Sequence, residues 1–234
     1  MATTSIGAPG VVFPDATVQA SAAAPNVITT IYTSPASWTK PATLKGVRVT
    51  VVAGGGSGAQ MPVTNLYTGG NGAAGIGFFS APSIPGPVTV TIGAGGAPSA
   101  GTTGSSAPPG NAGNTSSFGS LISATGGGGA INTPAAAAGA GGSITPSSTV
   151  IGINGNEGSF FAAQNAAATS NAYTAGAVGF GLGMGGASAT TGGMGYKPFI
   201  GYGGGGASII ASNPASGRST GAGGPGVIIV EEFY

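Results

Sequence analysis

V47-R-V-T-V-V-A-G-G-G-S-G-A-Q60 joins two kinds of chain in one short stretch. Val47, Val49 and Val51 alternate with Arg48 and Thr50, the period-two pattern of a half-buried strand, and the run then enters a glycine cluster. Gly54, Gly56 and Ala59 also match G-x-G-x-x-G/A, the spacing with which a strand–turn–helix unit holds a dinucleotide pyrophosphate. That unit needs a helix next, whose free N–H groups meet the phosphates, and an acid about 20 residues farther on. The chain continues instead as M61-P-V-T-N-L-Y-T-G-G-N-G-A-A-G75, rich in turn residues and without an apolar stripe of helical period. No Asp or Glu lies between Asp15 and Glu157. The same spacing recurs at Gly70, Gly72 and Gly75, at Gly181, Gly183 and Gly186, at Gly201, Gly203 and Gly206, and at Gly221, Gly223 and Gly226. Abundance of glycine generates the pattern, so no nucleotide cofactor is expected.

Other strands follow from the same alternation. N26-V-I-T-T-I-Y-T33 reads as a strand, and S34-P-A-S-W-T-K-P-A-T-L-K-G46 as an irregular crossing. P87-V-T-V-T-I92 places Val88, Val90 and Ile92 on one face, and S117-F-G-S-L-I-S-A124 is a weaker strand pattern. V227-I-I-V-E-E-F-Y234 is apolar on both faces until its acids, as in the middle of a packed sheet. Val49, Val51, Val90, Ile92 and Ile229 are the expected core, with Trp38 packing at the strand start. The strands bracket glycine-rich excursions at 53–86, 93–116, 125–208 and 211–226.

Within the excursions glycine recurs at every third position: Gly69, Gly72 and Gly75; Gly101 and Gly104; Gly110 and Gly113; Gly183 and Gly186; Gly192 and Gly195. Three residues per turn is the repeat of an extended helix of the polyproline II kind. A glycine at each third place lets neighbouring helices approach until their backbone groups pair. Each run is short and proline seldom fills the other two places, unlike collagen. The expected fold is all-β: a small antiparallel core or sandwich carrying long glycine-rich excursions, some as packed polyglycine II-type helices, with little or no α-helix.

Composition narrows the function. The 234 residues include 50 Gly and 17 Pro but only nine charged side chains, for a net charge of +1. So apolar and weakly charged a chain collapses or associates in water and does not stay swollen. Lys40, Lys45 and Arg48 cluster while Lys197 and Arg218 stand apart, too few cations on one face for a nucleic-acid partner. Cys and His are both absent, which removes disulfides, thiolate metal sites and the usual proton shuttle near neutral pH. Four carboxylates remain, Asp15, Glu157, Glu231 and Glu232, and the adjacent pair would point to opposite faces of a strand and could not flank one substrate. Ser and Thr are plentiful but none has a base in a recognisable motif. No enzyme, metal or cofactor is expected. Residues 1–24 carry no basic leader pattern and no apolar run is long enough to span a bilayer, so neither secretion by signal nor membrane insertion is expected.

Three stretches resemble the glycine-rich domain of bacteriophage tail-fibre and adhesin proteins. W38-T-K-P-A-T-L-K-G-V-R-V-T-V-V-A-G-G-G-S-G58 is similar to its opening, N114-T-S-S-F-G-S-L-I-S-A-T-G-G-G-G129 to its middle, and G203-G-G-G-A-S208 with G221-A-G-G-P-G-V-I-I-V-E-E-F-Y234 to its closing strand. V12-F-P-D-A-T-V-Q19, followed by alanines, resembles a short fibre segment of phage structural proteins. The excursions hold more Ala, Ser and Thr than that family's longer glycine runs, and the fibre-like segment is short. The resemblance implies a non-enzymatic virion protein, extracellular when acting, that adheres to a host surface receptor (a glycan or an outer-membrane protein). It divides the chain into a docking segment, 1–24, and a glycine-rich domain, 25–234. Val12, Phe13, Asp15 and Val18 would dock onto other virion proteins, and a homo-oligomer is implied, a trimer by analogy with fibres.

Aromatic and polar residues within or beside the excursions are the candidate receptor or subunit contacts: Asn65, Tyr67, Phe78, Phe79, Phe160, Phe161, Tyr173, Tyr196, Lys197 and Phe199. They equally suit gaps between glycine helices. Asn154, Asn156, Asn165 and Asn171, like Asn65, could bond glycans or make turns. Two other functions fit the same composition. One is a purely structural coat or decoration protein. The other is an ice-binding glycine-helix protein, for which the Thr102–Thr103 and Thr190–Thr191 pairs are too scattered to form a regular face.

Overall fold

The computed structural model describes residues 26–61, 65–99, 108–131, 138–145, 147–158, 200–210 and 220–234, with short strands at 5–7, 10–12, 18–19, 160–162 and 183–184. The architecture is all-β, and the described residues include a single 3-10 turn, Ala81–Ser83, and no α-helix. Nine strands make two antiparallel sheets: β1 Val27–Tyr32, β2 Ala36–Trp38, β3 Gly46–Val52, β4 Ala74–Ser80, β5 Val88–Thr91, β6 Ser116–Phe118, β7 Ile122–Ala124, β8 Val150–Ile153 and β9 Val227–Phe233. One sheet has the order β8-β4-β3-β9-β1 and the other β7-β6-β5-β2.

Alternation decides which side chains fill the space between them. Val47, Val49 and Val51 of β3 turn inward with Ile228 and Val230 of β9, and meet Val88, Val90, Phe118 and Ile122 of the smaller sheet in one apolar cluster. Each such buried side chain contributes about 1.5–3 kcal/mol. Trp38 lies inside this cluster, its ring centroid 5.5 Å from that of Phe118. Its indole N–H donates to the buried Glu232, whose other oxygen accepts from the Tyr234 hydroxyl at 2.7 Å. Glu231, one residue earlier, points to the opposite face and holds Arg48.

Several elements differ from the sequence reading. S117-F-G-S-L-I-S-A124 is a hairpin and not one strand, because Gly119 takes a left-handed φ of 54° between β6 and β7. The excursion over 53–86 contains β4, hidden in the sequence by Gly75 and Gly77. These glycines face the core, where a Cβ on Gly75 would stand 2.3 Å from the Ile144 side chain. The long excursion over 125–208 holds β8, and the crossing over 34–46 holds β2. Ile229, expected in the core, is half-buried on the outer face of the larger sheet, since Ile228 and Val230 occupy its inner face.

Each long strand continues into an extended tract, and nine tracts stack as rods beyond one end of the sandwich: A 53–59, B 68–73, C 93–99, D 109–114, E 125–130, F 139–143, G 154–158, H 203–208 and I 220–226. Rod A is the axis. Its N–H groups donate with a period of three: Ala53 and Gly56 to rod B, Gly54 and Ser57 to rod D, Gly55 and Gly58 to rod I. Its carbonyls accept from rod E at Gly54 and Ser57, from rod C at Gly55 and from rod H at Gly56. A ring of six rods therefore surrounds rod A. Donation runs to the three that are antiparallel to it, and acceptance comes from the three that are parallel. The ring closes on itself through bonds such as Gly70 N–H to Gly128 O (2.8 Å), Gly113 N–H to Gly127 O (2.8 Å) and Gly69 N–H to Gly206 O (2.9 Å). Rods F and G add a second layer, F against B and E and G against B and F. Buried backbone groups must be paired, and here each successive residue of rod A faces a different neighbour while every third returns to the same one.

Candidate functional site

Rods A, C, E and G leave strands β3, β5, β7 and β8, and rod H runs parallel to A, so all five point away from the sandwich. Rods B, D, F and I return. The links through 62–64, 100–107, 132–137 and 211–219 therefore join rods at the same distal pole, and the stretch from rod G to rod H leaves from it. The opposite pole holds the chain ends of the domain: β1 begins there, and the Tyr234 N–H donates to the Asn26 carbonyl at 3.2 Å.

Hydroxyls fix the roots of these links. Ser99 and Thr220 clamp rods C and I, the Ser99 N–H reaching Thr220 Oγ1 at 2.8 Å and the Thr220 N–H reaching the Ser99 carbonyl at 3.1 Å. Ser99 Oγ donates to the Pro109 carbonyl at 2.6 Å and so ties in rod D. Ser208 Oγ donates to the Tyr67 carbonyl while accepting the Ala59 N–H at 2.9 Å. Asn111 donates its side-chain amide to the Ala97 carbonyl at 2.8 Å. The segment over 100–107 thus springs from a fixed clamp, and 211–219 returns to the same one. The sequence reading passed over these Ser and Thr residues. Their signal was position, since each stands where a glycine tract stops.

Beyond the clamps, short strands cap the pole. Gln60–Met61 pairs in parallel with Ile209–Ile210, and Asn65–Tyr67 pairs antiparallel with Phe160–Ala162. Four of the candidate contact residues thus share one strand pair, with Phe160 opposite Tyr67, Phe161 opposite Leu66 and Asn65 opposite Ala162. The Tyr67 ring is half-buried against Ala59 and Ala130. The remaining candidates are dispersed. Phe79 is buried in the sandwich core, and Phe78 is exposed on the sandwich's outer face, away from the distal pole. Asn154 accepts the Ile144 N–H at 3.2 Å, and the Asn156 carbonyl accepts from Asn71, so both act within the framework. Tyr173, Tyr196, Lys197, Phe199, Asn165 and Asn171 lie outside the described residues, as do Phe13 and Asp15. Val12 and Val18 pair with each other in a three-stranded sheet made by 5–7, 10–12 and 18–19.

The Glu231 carboxylate raises the Arg48 guanidinium by hydrogen bonding. Burial raises the Tyr32 phenol, with Glu232 adding to it, and a hydrogen bond to Glu232 raises the Tyr234 phenol. Among the described residues no three His, Cys, Asp or Glu side chains gather as a metal-binding set.

A family model described as a glycine-rich domain matches residues 29–232. The chain belongs to that glycine-rich domain family. The match begins within β1 and ends at Glu232 in β9, so it takes in both sheets and all nine rods of the family member described above. A search of curated proteins returns no match.

Proposed function

We infer that this glycine-rich domain protein is a non-enzymatic component of a bacteriophage particle, a tail-fibre tip or related fibre part, that adheres to a receptor on the host cell surface. One observation carries the reading: four links between rods, 62–64, 100–107, 132–137 and 211–219, share one pole while Asn26 and Tyr234 meet at the other. A rigid lattice with variable connections at one end suits recognition, because the rods restrain the roots and leave the links free to change in sequence. The links use Ala, Ser, Thr and Asn, and 163–182, which starts from that pole, adds Tyr173. Aromatic and small hydroxyl or amide side chains recur in binding loops of many specificities. Residues 1–24 join the opposite pole and connect the domain to other virion subunits.

The test is a binding assay with the purified chain, fluorescently labelled, on a panel of bacterial cells and isolated envelopes. Saturable binding is expected to at least one host, and replacing 211–219 by a Gly-Ser link of equal length should abolish it while the melting temperature holds. Binding that survives replacement of 211–219, 100–107 and 163–182 together would refute the distal-pole reading. Full binding by particles that lack the protein would point to a decoration role.

A further inference from the structure

The outer face of the five-stranded sheet belongs to neither pole. Strand register lays its residues in rows: Ile151, Ile76, Thr50, Ile229 and Ile31; then Phe78, Arg48, Glu231 and Thr29; then Ser80, Gly46, Phe233 and Val27. Ile151 and Ile31 are about three-fifths exposed, and Phe78, Val27 and Phe233 are also open to solvent. Exposed apolar side chains grouped on one sheet face around an ion pair suit an interaction surface. In its middle the Arg48 guanidinium forks onto Glu231, with Nη2 2.6 Å from Oε1 and Nε on Oε2.

We propose that a second copy of this chain covers this face, sheet against sheet, about a two-fold axis parallel to the strands and lying between β3 and β9. A two-fold interface must be self-complementary, and about that axis this face opposes unlike charges. Rotation about it sets Arg48 against the partner subunit's Glu231 and Glu231 against the partner subunit's Arg48, so four charges alternate in sign. Phe233 comes over the partner subunit's Gly46, a ring over a position without a side chain, and Phe78 over the small Thr29 of the partner subunit. Ile31 meets the partner subunit's Ile76. An axis over β3 itself would bring the two Arg48 side chains together.

Area bears on how tightly the copies hold. Four strands overlap across this axis, with β8 outside it, and at about 4.8 Å spacing and seven residues at about 3.3 Å rise they present roughly 440 Å² per copy, roughly 900 Å² for the pair. That is the size of a weak, reversible pairing. The arrangement is independent of the adhesion reading and compatible with it, since the axis leaves both rod lattices pointing the same way. A three-fold arrangement would set this face against a different surface.

Sedimentation equilibrium of the full chain at micromolar concentration tests the proposal. The expected mass is twice the 21.6 kDa of one chain. Arg48→Glu sets like charges across the axis and should weaken association at least tenfold, and the double swap Arg48→Glu with Glu231→Arg should restore it. Ile31→Lys, at an exposed edge position where folding is not at stake, should give a monomer with an unchanged circular dichroism spectrum. A wild-type mass of one or three chains, an Arg48→Glu dimer as tight as wild type, or a double swap that stays monomeric would each overturn the two-fold pairing.

Discussion

Gly56 offers the sharpest test of the rod lattice. A Cβ built on it would stand 1.9 Å from the Gly128 carbonyl oxygen of rod E, where ordinary contact begins near 3.4 Å. Both atoms belong to backbone, so no side chain can turn away, and rods A and E must part by about 1.5 Å in Gly56→Ala. The bonds joining those rods, Gly127 N–H to Gly54 O at 2.9 Å and Ala130 N–H to Ser57 O at 3.1 Å, would then exceed hydrogen-bond reach. A buried backbone group left unpaired costs about 1–3 kcal/mol, so two lost bonds destabilise by about 2–6 kcal/mol. The lower entropy of an unfolded chain carrying alanine returns only about 0.4–1 kcal/mol. For a chain of this length, each kcal/mol moves the melting temperature by about 2–4 °C, giving a fall of about 10 °C. Gly86→Ala is the control, since nothing lies within 4 Å of its Cβ position, and it should melt like wild type. Gly128→Ala, whose nearest neighbour is the Ala140 nitrogen at 3.0 Å, should fall between them. Differential scanning calorimetry of the three variants decides the matter. Equal melting of Gly56→Ala and Gly86→Ala would refute the idea that backbone approach in this lattice excludes a methyl group.

Other outcomes follow from single contacts. Ser57→Ala removes the buried Oγ that accepts the Asn111 N–H at 2.7 Å, and urea denaturation should show a loss of about 1–3 kcal/mol with faster hydrogen exchange at the Asn111 amide. Phe118→Ala empties a fully buried ring site beside Trp38 and should cost about 3–5 kcal/mol, with a shift in the fluorescence of the single tryptophan. Tyr234 and Tyr32 both have raised phenol pKa values, so folding favours their protonated forms. Their stabilisation is complete below the ordinary tyrosine range, near 10, and is lost as pH rises through their folded values; Tyr234→Phe should flatten that alkaline fall in melting temperature. Arg48→Ala should change monomer stability by no more than about 1 kcal/mol, because its ion pair is partly solvated.

Much of this protein is written in local pattern. Alternating valines set β3 and β5, the paired apolar faces of V227-I-I-V230 set β9 between two neighbours, and the scarcity of helical periodicity fixes the all-β class. Strand β4 escaped that reading because Gly75 and Gly77 erase the alternation, and they do so for a reason no local window contains: Ile144, remote in sequence, needs the space. The distal pole was legible only in part. Tyr67 and Phe160 look alike in sequence to Phe78 and Phe79, yet the first two meet beyond the rods while Phe79 fills the core. Glycine content alone established that tracts could approach closely, since a residue without a side chain permits contact with any neighbour. For the same reason it could not say which tract meets which. Only the tertiary structure chose rod A as the axis and its six partners, because backbone hydrogen bonds carry no residue identity and the order of the strands decides the pairing.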